Sequence, residues 1–134
     1  MAGAERNWSH GTTLEATPIS AAGARAFVSH HLVDHRLTFL VEPVRLVVSE
    51  LATNALVHGR TPFVVTLSRE DDTVRVTVSD ESAWITTSVP DQALPAGGRG
   101  LRIVNVISRD WGIITGVRSK TVWATFEAVS ASSS

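Results

Sequence analysis

Cysteine is absent from the 134 residues. That excludes a disulfide framework and a thiolate metal site. No apolar run approaches the ~18 residues that a membrane span requires. The first residues, Met1 to Gly11, lack the apolar centre of a signal peptide. Neither sign of charge is in excess: 12 Lys and Arg stand against 13 Asp and Glu, a formal net charge of −1. Such a balance supplies no general attraction to nucleic acid or to anionic membrane. No internal repeat is visible. At 43% hydrophobic and 19% charged residues, the chain can bury an ordinary core. The expectation is one soluble, cytoplasmic domain with no nucleic acid and no membrane as partner.

The pattern of apolar residues predicts the elements. Residues 1–11 are small and polar and are expected to be disordered, as is the Ser/Ala tail at 129–134. Thr12 to Ala16 suits a short edge strand. Ser20 to about His35 reads as a helix with Ser20 as its cap, because Ala24, Phe27, Val28 and Leu32 have helical spacing. A second helix is expected over residues 43–58. Pro43 suits its first position, Glu42 complements the dipole, and Gly59 suits the turn after its end. Phe63 to Arg69 and Thr73 to Ser79 read as strands around a turn at Glu70-Asp71-Asp72. In the second of these Val74, Val76 and Val78 alternate with Arg75, Thr77 and Ser79. Residues 81–98 carry no sustained period and form a long loop. Arg99 to about Arg109 is expected to be helical, followed by strands over Trp111 to Val117 and Thr121 to Ala128. Hairpin-like strand pairs with helices between them imply an α+β two-layer sandwich, a mixed or antiparallel sheet covered on one face by three helices. Trp123 falls on the opposite face from Val122, Ala124 and Phe126. It is either a surface aromatic or part of a partner surface.

Three places carry candidate chemistry. Glu50, Asn54 and His58 recur every four residues and share one stripe of the second helix. The surrounding surface, from Val44 through Leu46, Leu51 and Leu56 to Val57, is apolar nearly all round, so the helix is expected to be mostly buried. An amide oxygen such as that of Asn54 suits Mg²⁺, which takes few protein ligands and fills its octahedron with phosphate and water. A carboxylate one turn away could deprotonate a hydroxyl. The alternative is a polar helix edge with Glu50 in water. Asp80 has the parity of Val76 and Val78, so its carboxylate points to the core side. An adenine amino group would satisfy it without adding charge, and so would the following turn, Glu81-Ser82. Finally, Gly97-Gly98-Arg99-Gly100-Leu101 opens a helix. It serves either as a hinge or as a phosphate cradle, with Arg99 and Arg102 adding positive charge. His31 and His35, one turn apart, could chelate a metal, but an ordinary exposed helix face explains them better.

The order of these pieces resembles the GHKL, or Bergerat-fold, ATP-binding domain. Glu50-x-x-x-Asn54-Ala55-x-x-His58-Gly59 looks like its N-box, Asp80 begins the first ATP-binding box, and Gly98-Arg99-Gly100-Leu101 looks like the second glycine box. The similarity covers about residues 12–128. It extends to Asp110-Trp111-Gly112, shared with the small stand-alone anti-sigma factors that have serine kinase activity. The resemblance implies ATP and Mg²⁺ as cofactors. It implies Asn54 as the Mg²⁺ ligand, Glu50 as the general base and Asp80 as the adenine acceptor. Gly98, Arg99, Gly100 and Leu101 would lie at the phosphates, with an ATP lid at about 81–98. It further implies a protein serine/threonine kinase that controls transcription. Its partners would be a sigma factor or an anti-anti-sigma (STAS-type) protein, and a homodimer is possible. The first box departs from the family: Ser82 and Trp84 stand where Asp-x-Gly-x-Gly has glycines. The competing expectation is a partner-sequestering module with weak or no nucleotide turnover.

Overall fold

A computed structural model describes residues 6–58, 61–80, 102–117 and 119–129. The elements run β1 (Asn7–Leu14), α1 (Ser20–Asp34), a 3₁₀ turn (Thr38–Leu40), α2 (Val41–His58), β2 (Phe63–Glu70) and β3 (Thr73–Asp80). A helix α3 follows at residues 102–107, then β4 (Asp110–Thr115) and β5 (Lys120–Glu127). Five strands form one sheet in the order β1-β2-β3-β5-β4, each neighbour antiparallel. The expected α+β sandwich is therefore present, with a wholly antiparallel sheet.

Alternation in the strands decides which face is covered. Phe63, Val65 and Leu67 of β2 are buried, and so are Val74, Val76 and Val78 of β3 and Val122, Ala124 and Phe126 of β5. A strand's side chains alternate with a period of two, so all of these lie on one face. Val28 and Leu32 of α1, Val44, Val48 and Leu51 of α2, and Val104 of α3 complete the same core. On the opposite face Trp123 lies against Gly112: a β-carbon there would come within 2.7 Å of the indole. The Arg75 guanidinium sits 4.8 Å from the Trp123 ring centre, a cation–π contact. Trp123 is thus packed within its own sheet face rather than standing free.

Several expected boundaries move. β1 starts at Asn7, inside the segment expected to be disordered, and pairs along its whole length with β2. Backbone pairing with a neighbour needs no apolar residue of its own, which is why so polar a strand escaped the apolar pattern. Ser20 does not cap α1. Ile19 holds that position without a side-chain bond, and the Ser20 hydroxyl donates to the carbonyl of Glu15 at 2.7 Å. The C-terminus of α1 closes as a Schellman turn. Leu37 N–H bonds the Leu32 carbonyl at 2.7 Å and Arg36 N–H bonds Val33 at 3.0 Å. Arg36 takes the left-handed φ of 64° that this turn requires, where glycine is the usual choice. α2 begins two residues before Pro43, on the 3₁₀ turn. Nor is α2 buried all round, since Leu46 is 42% and Val57 60% exposed.

His31 and His35 are not on an open face either. Trp8 stacks on His35 and His10 on His31, each pair with ring centres 3.9 Å apart. His10 Nε2 and His35 Nε2 are 2.9 Å apart, so one ring donates and the other accepts. Among the described residues no group of three or more His, Asp or Glu converges as a metal site. Instead the rings dock edge strand β1 onto α1. Burial lowers the His31 pKa below 6.5, the neighbouring His10, His30 and His35 lower it further, and Asp34 opposes them. The unfolded chain therefore takes up a proton on His31 before the folded one does. This share of stability is complete above pH 6.5 and is lost as pH falls from there toward the lower folded value. The denaturant midpoint is expected to drop between pH 7.5 and pH 5.5. In His31→Phe the drop should be smaller; an identical drop in both proteins would remove His31 from the account.

Candidate functional site

α2 packs on β3, so its inner positions are set by contact with the sheet. Val47, Val48, Leu51, Ala52 and Ala55 are buried. At 100° per residue, that leaves Leu46, Glu50, Thr53, Asn54 and Val57 on the opposite, less covered arc. Glu50 and Asn54 are half-buried there. The polar stripe is thus neither sunk in the core nor fully in water. Neither side chain has a hydrogen-bond or ion-pair partner among the described residues. Their carboxylate and amide oxygens remain available to a ligand. His58 ends α2, and its side chain lies outside what is described.

Beside this stripe runs a groove of about 590 Å³, bounded by Arg25 of α1, Arg45, Leu46 and Ser49 of α2, and Ile107 of α3. Arg25 donates to the Ser49 hydroxyl at 2.9 Å. Arg45 reaches Glu42 only at 3.9 Å, and its Nε is buried without a hydrogen-bond partner. Two guanidinium groups and the Glu42 carboxylate thus share this groove.

Asp80 closes β3 and is 4% exposed, on the inner face with Val76 and Val78. The inward orientation expected from strand parity is the one observed. Directly across the ladder stands Lys120, the first residue of β5 and 6% exposed. Opposite residues of an antiparallel pair project to the same face, with β-carbons about 5 Å apart. Burial lowers the Lys120 pKa, and the Asp80 charge pulls it back up. Lys120 carried no motif and sits before an ordinary strand pattern. Only the cross-strand register brings it to Asp80, so sequence inspection missed it. Above them on the outer face, Thr121 Oγ1 and Ser79 Oγ are 2.9 Å apart, which pins the same register from the other side.

The remaining expected site residues, Gly98, Arg99, Gly100 and Leu101, together with the lid at 81–98 and its Ser82 and Trp84, lie outside the described residues. Arg102 is the first described residue of α3 and is exposed. Val104 turns inward, and the Ser108 hydroxyl donates to the Val104 carbonyl at 2.6 Å to finish the helix. The Trp111 indole N–H bonds Asn105 at 2.9 Å and ties α3 to β4.

A half-buried carboxylate and amide on α2, and a buried carboxylate at the end of β3, lie on the helix-covered side of the sheet. Oxygen donors of this kind fit one hard cation completed by phosphate and water. Asp80 has the Lys120 side chain across the ladder as its neighbour.

A model described as a histidine kinase-like ATPase domain matches residues 14–126. Among solved structures, the chain is similar to the crystal structure of the RsbU and RsbW domains of a Mycobacterium tuberculosis protein. The identity is 22% and the TM-score 0.70, over 89% of this chain and 32% of that one. This chain thus spans about a third of that longer one, and the likeness is one of fold. No curated protein matches the sequence significantly. Among the described residues no helix is long and apolar enough to cross a membrane.

The buried pair has a direct consequence for stability. Removing one member of a buried ion pair leaves an uncompensated charge, at a cost of about 3–5 kcal/mol. Asp80→Ala is expected to lose stability on that order in urea denaturation. Adding Lys120→Met to it should recover much of the loss. A double variant as unstable as the sum of the singles would show that the two side chains do not interact.

Proposed function

The chain belongs to the histidine kinase-like ATPase family, and from that premise we propose that it is a Mg-ATP-dependent regulator which phosphorylates a serine on a partner protein. The observation that carries the proposal is the pairing of Glu50 and Asn54, half-buried one turn apart on the less covered arc of α2. Family membership accounts for ATP. The presence of a carboxylate beside the magnesium-type amide supports transfer to a hydroxyl.

In this reading Asn54 holds the cation, whose chemistry when bound is to neutralise charge on the ATP phosphates. Asp80 accepts a hydrogen bond from the adenine amino group. Glu50 takes the proton of the acceptor serine as its oxygen attacks the terminal phosphorus. The bond from that phosphorus to the bridging oxygen breaks, and ADP leaves with the electron pair. Gly98, Arg99, Gly100 and Leu101 are assigned to the phosphates by their match to the second glycine box. The groove along α2 gives a serine-bearing segment a place to lie, where Arg25 and Arg45 outnumber Glu42 and suit an acidic residue flanking the serine. The partner is then an anti-anti-sigma (STAS-type) protein, and a sigma factor is the second binding partner, as in the stand-alone anti-sigma kinases that the N-box and glycine box resemble. The protein would act in the cytoplasm, where both partners reside.

A second reading has support of its own. Lys120 already engages the charge of Asp80. Ser82 and Trp84 replace two glycines of the first box. Both features point toward a module that sequesters its partner with weak nucleotide turnover.

Phosphate transfer separates the two. With Mg-ATP and an anti-anti-sigma protein, the wild type is expected to label a serine. Glu50→Ala should lose labelling by two or more decades, the usual scale of a general base, while keeping nucleotide affinity. Tight sigma-factor capture without labelling at saturating Mg-ATP would establish the sequestering module instead. In calorimetry, Asp80→Asn should weaken Mg-ADP binding by about one to two decades, the worth of a hydrogen bond to a charged group. The absence of wild-type binding at millimolar Mg-ADP would refute the nucleotide site.

A further inference from the structure

We infer that Lys120 is a built-in competitor for the nucleobase, holding the Asp80 carboxylate that the amino group of an adenine would otherwise occupy. The inference rests on the nucleotide-binding reading above and adds a control to that site.

Three features bring the two side chains together. The ladder sets Asp80 and Lys120 directly opposite one another. The alternation of β3 and β5 turns both side chains to the covered face, with Val78 and Val122 as their neighbours along the strands. Both are buried, at 4% and 6% exposure, so neither is solvated as an exposed ion would be. Two opposite charges taken out of water together are held by each other.

An arriving adenine changes this balance. Its amino group is a neutral donor, and it lacks the full Coulomb attraction that an ammonium has for a carboxylate. The base must share Asp80 with the ammonium or displace it. Displacement needs somewhere for the charge to go. Lys120 opens β5, just after a turn whose Gly116 and Val117 are exposed. Its four-carbon stem can therefore carry the ammonium out toward water. Nucleotide occupancy and Lys120 position become alternatives, and the cost of expelling the ammonium is subtracted from the affinity. The rival geometry has Lys120 donating to a ring nitrogen of the same base. It predicts the opposite sign in the test.

The test is calorimetric titration of the full chain with Mg-ADP, comparing wild type with Lys120→Met, which keeps the length of the stem and removes the charge. The variant is expected to bind about tenfold more tightly. The gain should vanish when Asp80→Asn is added. Equal or weaker binding by Lys120→Met, with binding by the wild type intact, overturns the inference and leaves the nucleotide site standing. No binding by either protein at millimolar Mg-ADP overturns the nucleotide site and the inference with it. Should Lys120→Met fail to fold, the wild type decides. The side-chain nitrogen resonance of Lys120 should titrate closer to the ordinary lysine value when Mg-ADP is saturating, because the ammonium has moved into water. A midpoint that stays in place or falls further overturns the inference.

Discussion

The register of β3 is the constraint on which both the core and the site depend. Val74, Val76, Val78 and Asp80 alternate along one strand and are all buried. A slip of one residue against β2 or β5 would turn the three valines to the outer face, forfeiting roughly 1.5–3 kcal/mol for each. The same slip would carry Asp80 out of the covered layer and away from Lys120. Hydrophobic burial thus holds a carboxylate where no carboxylate would go by its own solvation. Thr121 and Ser79 fasten the outer side of the same step. The same packing that forms the core thus positions Asp80.

α2 supplies the other half with a different tolerance. Its inner positions are committed to the sheet, but Leu46, Glu50, Asn54 and Val57 lie on an arc that the sheet does not cover. Glu50 and Asn54 can therefore stay polar at modest cost. Under the proposed function, a ligand with an apolar ring at one end and phosphates at the other takes Asp80 at the ring and Asn54 at the phosphates. The family to which the chain belongs binds such a ligand. Near Asp80 the chain carries Lys120 across the ladder and side chains at positions 82 and 84.

Where the fold was legible in the amino-acid order, one repeating physical preference dominated. The alternation in Thr73–Asp80 and the helical spacing from Ala24 to Leu32 are of that kind, and the structure places those residues in the core. The misses have the opposite character. β1 is polar and is held by backbone pairing to β2, which leaves little trace in side-chain hydropathy. Ser20 has the chemistry of a cap, but its hydroxyl found a nearer acceptor in Glu15. Arg36 occupies a left-handed position that a glycine would have advertised. His31 and His35 looked like an open face because the Trp8 and His10 rings that cover them lie more than twenty positions away in the chain.

The sequence by itself determined the layers, the family motifs and the inward turn of Asp80. Each of these follows from local periodicity or from spacing within a few residues, which the chain carries along its length. Tertiary structure alone decided that Lys120 faces Asp80, that Trp123 lies against Gly112 beneath Arg75, and that β1 docks through stacked rings. Those contacts join residues far apart in the chain, through a cross-strand register that no local pattern encodes. That register is the sum of the cross-strand pairs of the whole sheet, and it is fixed only when the whole sheet has formed.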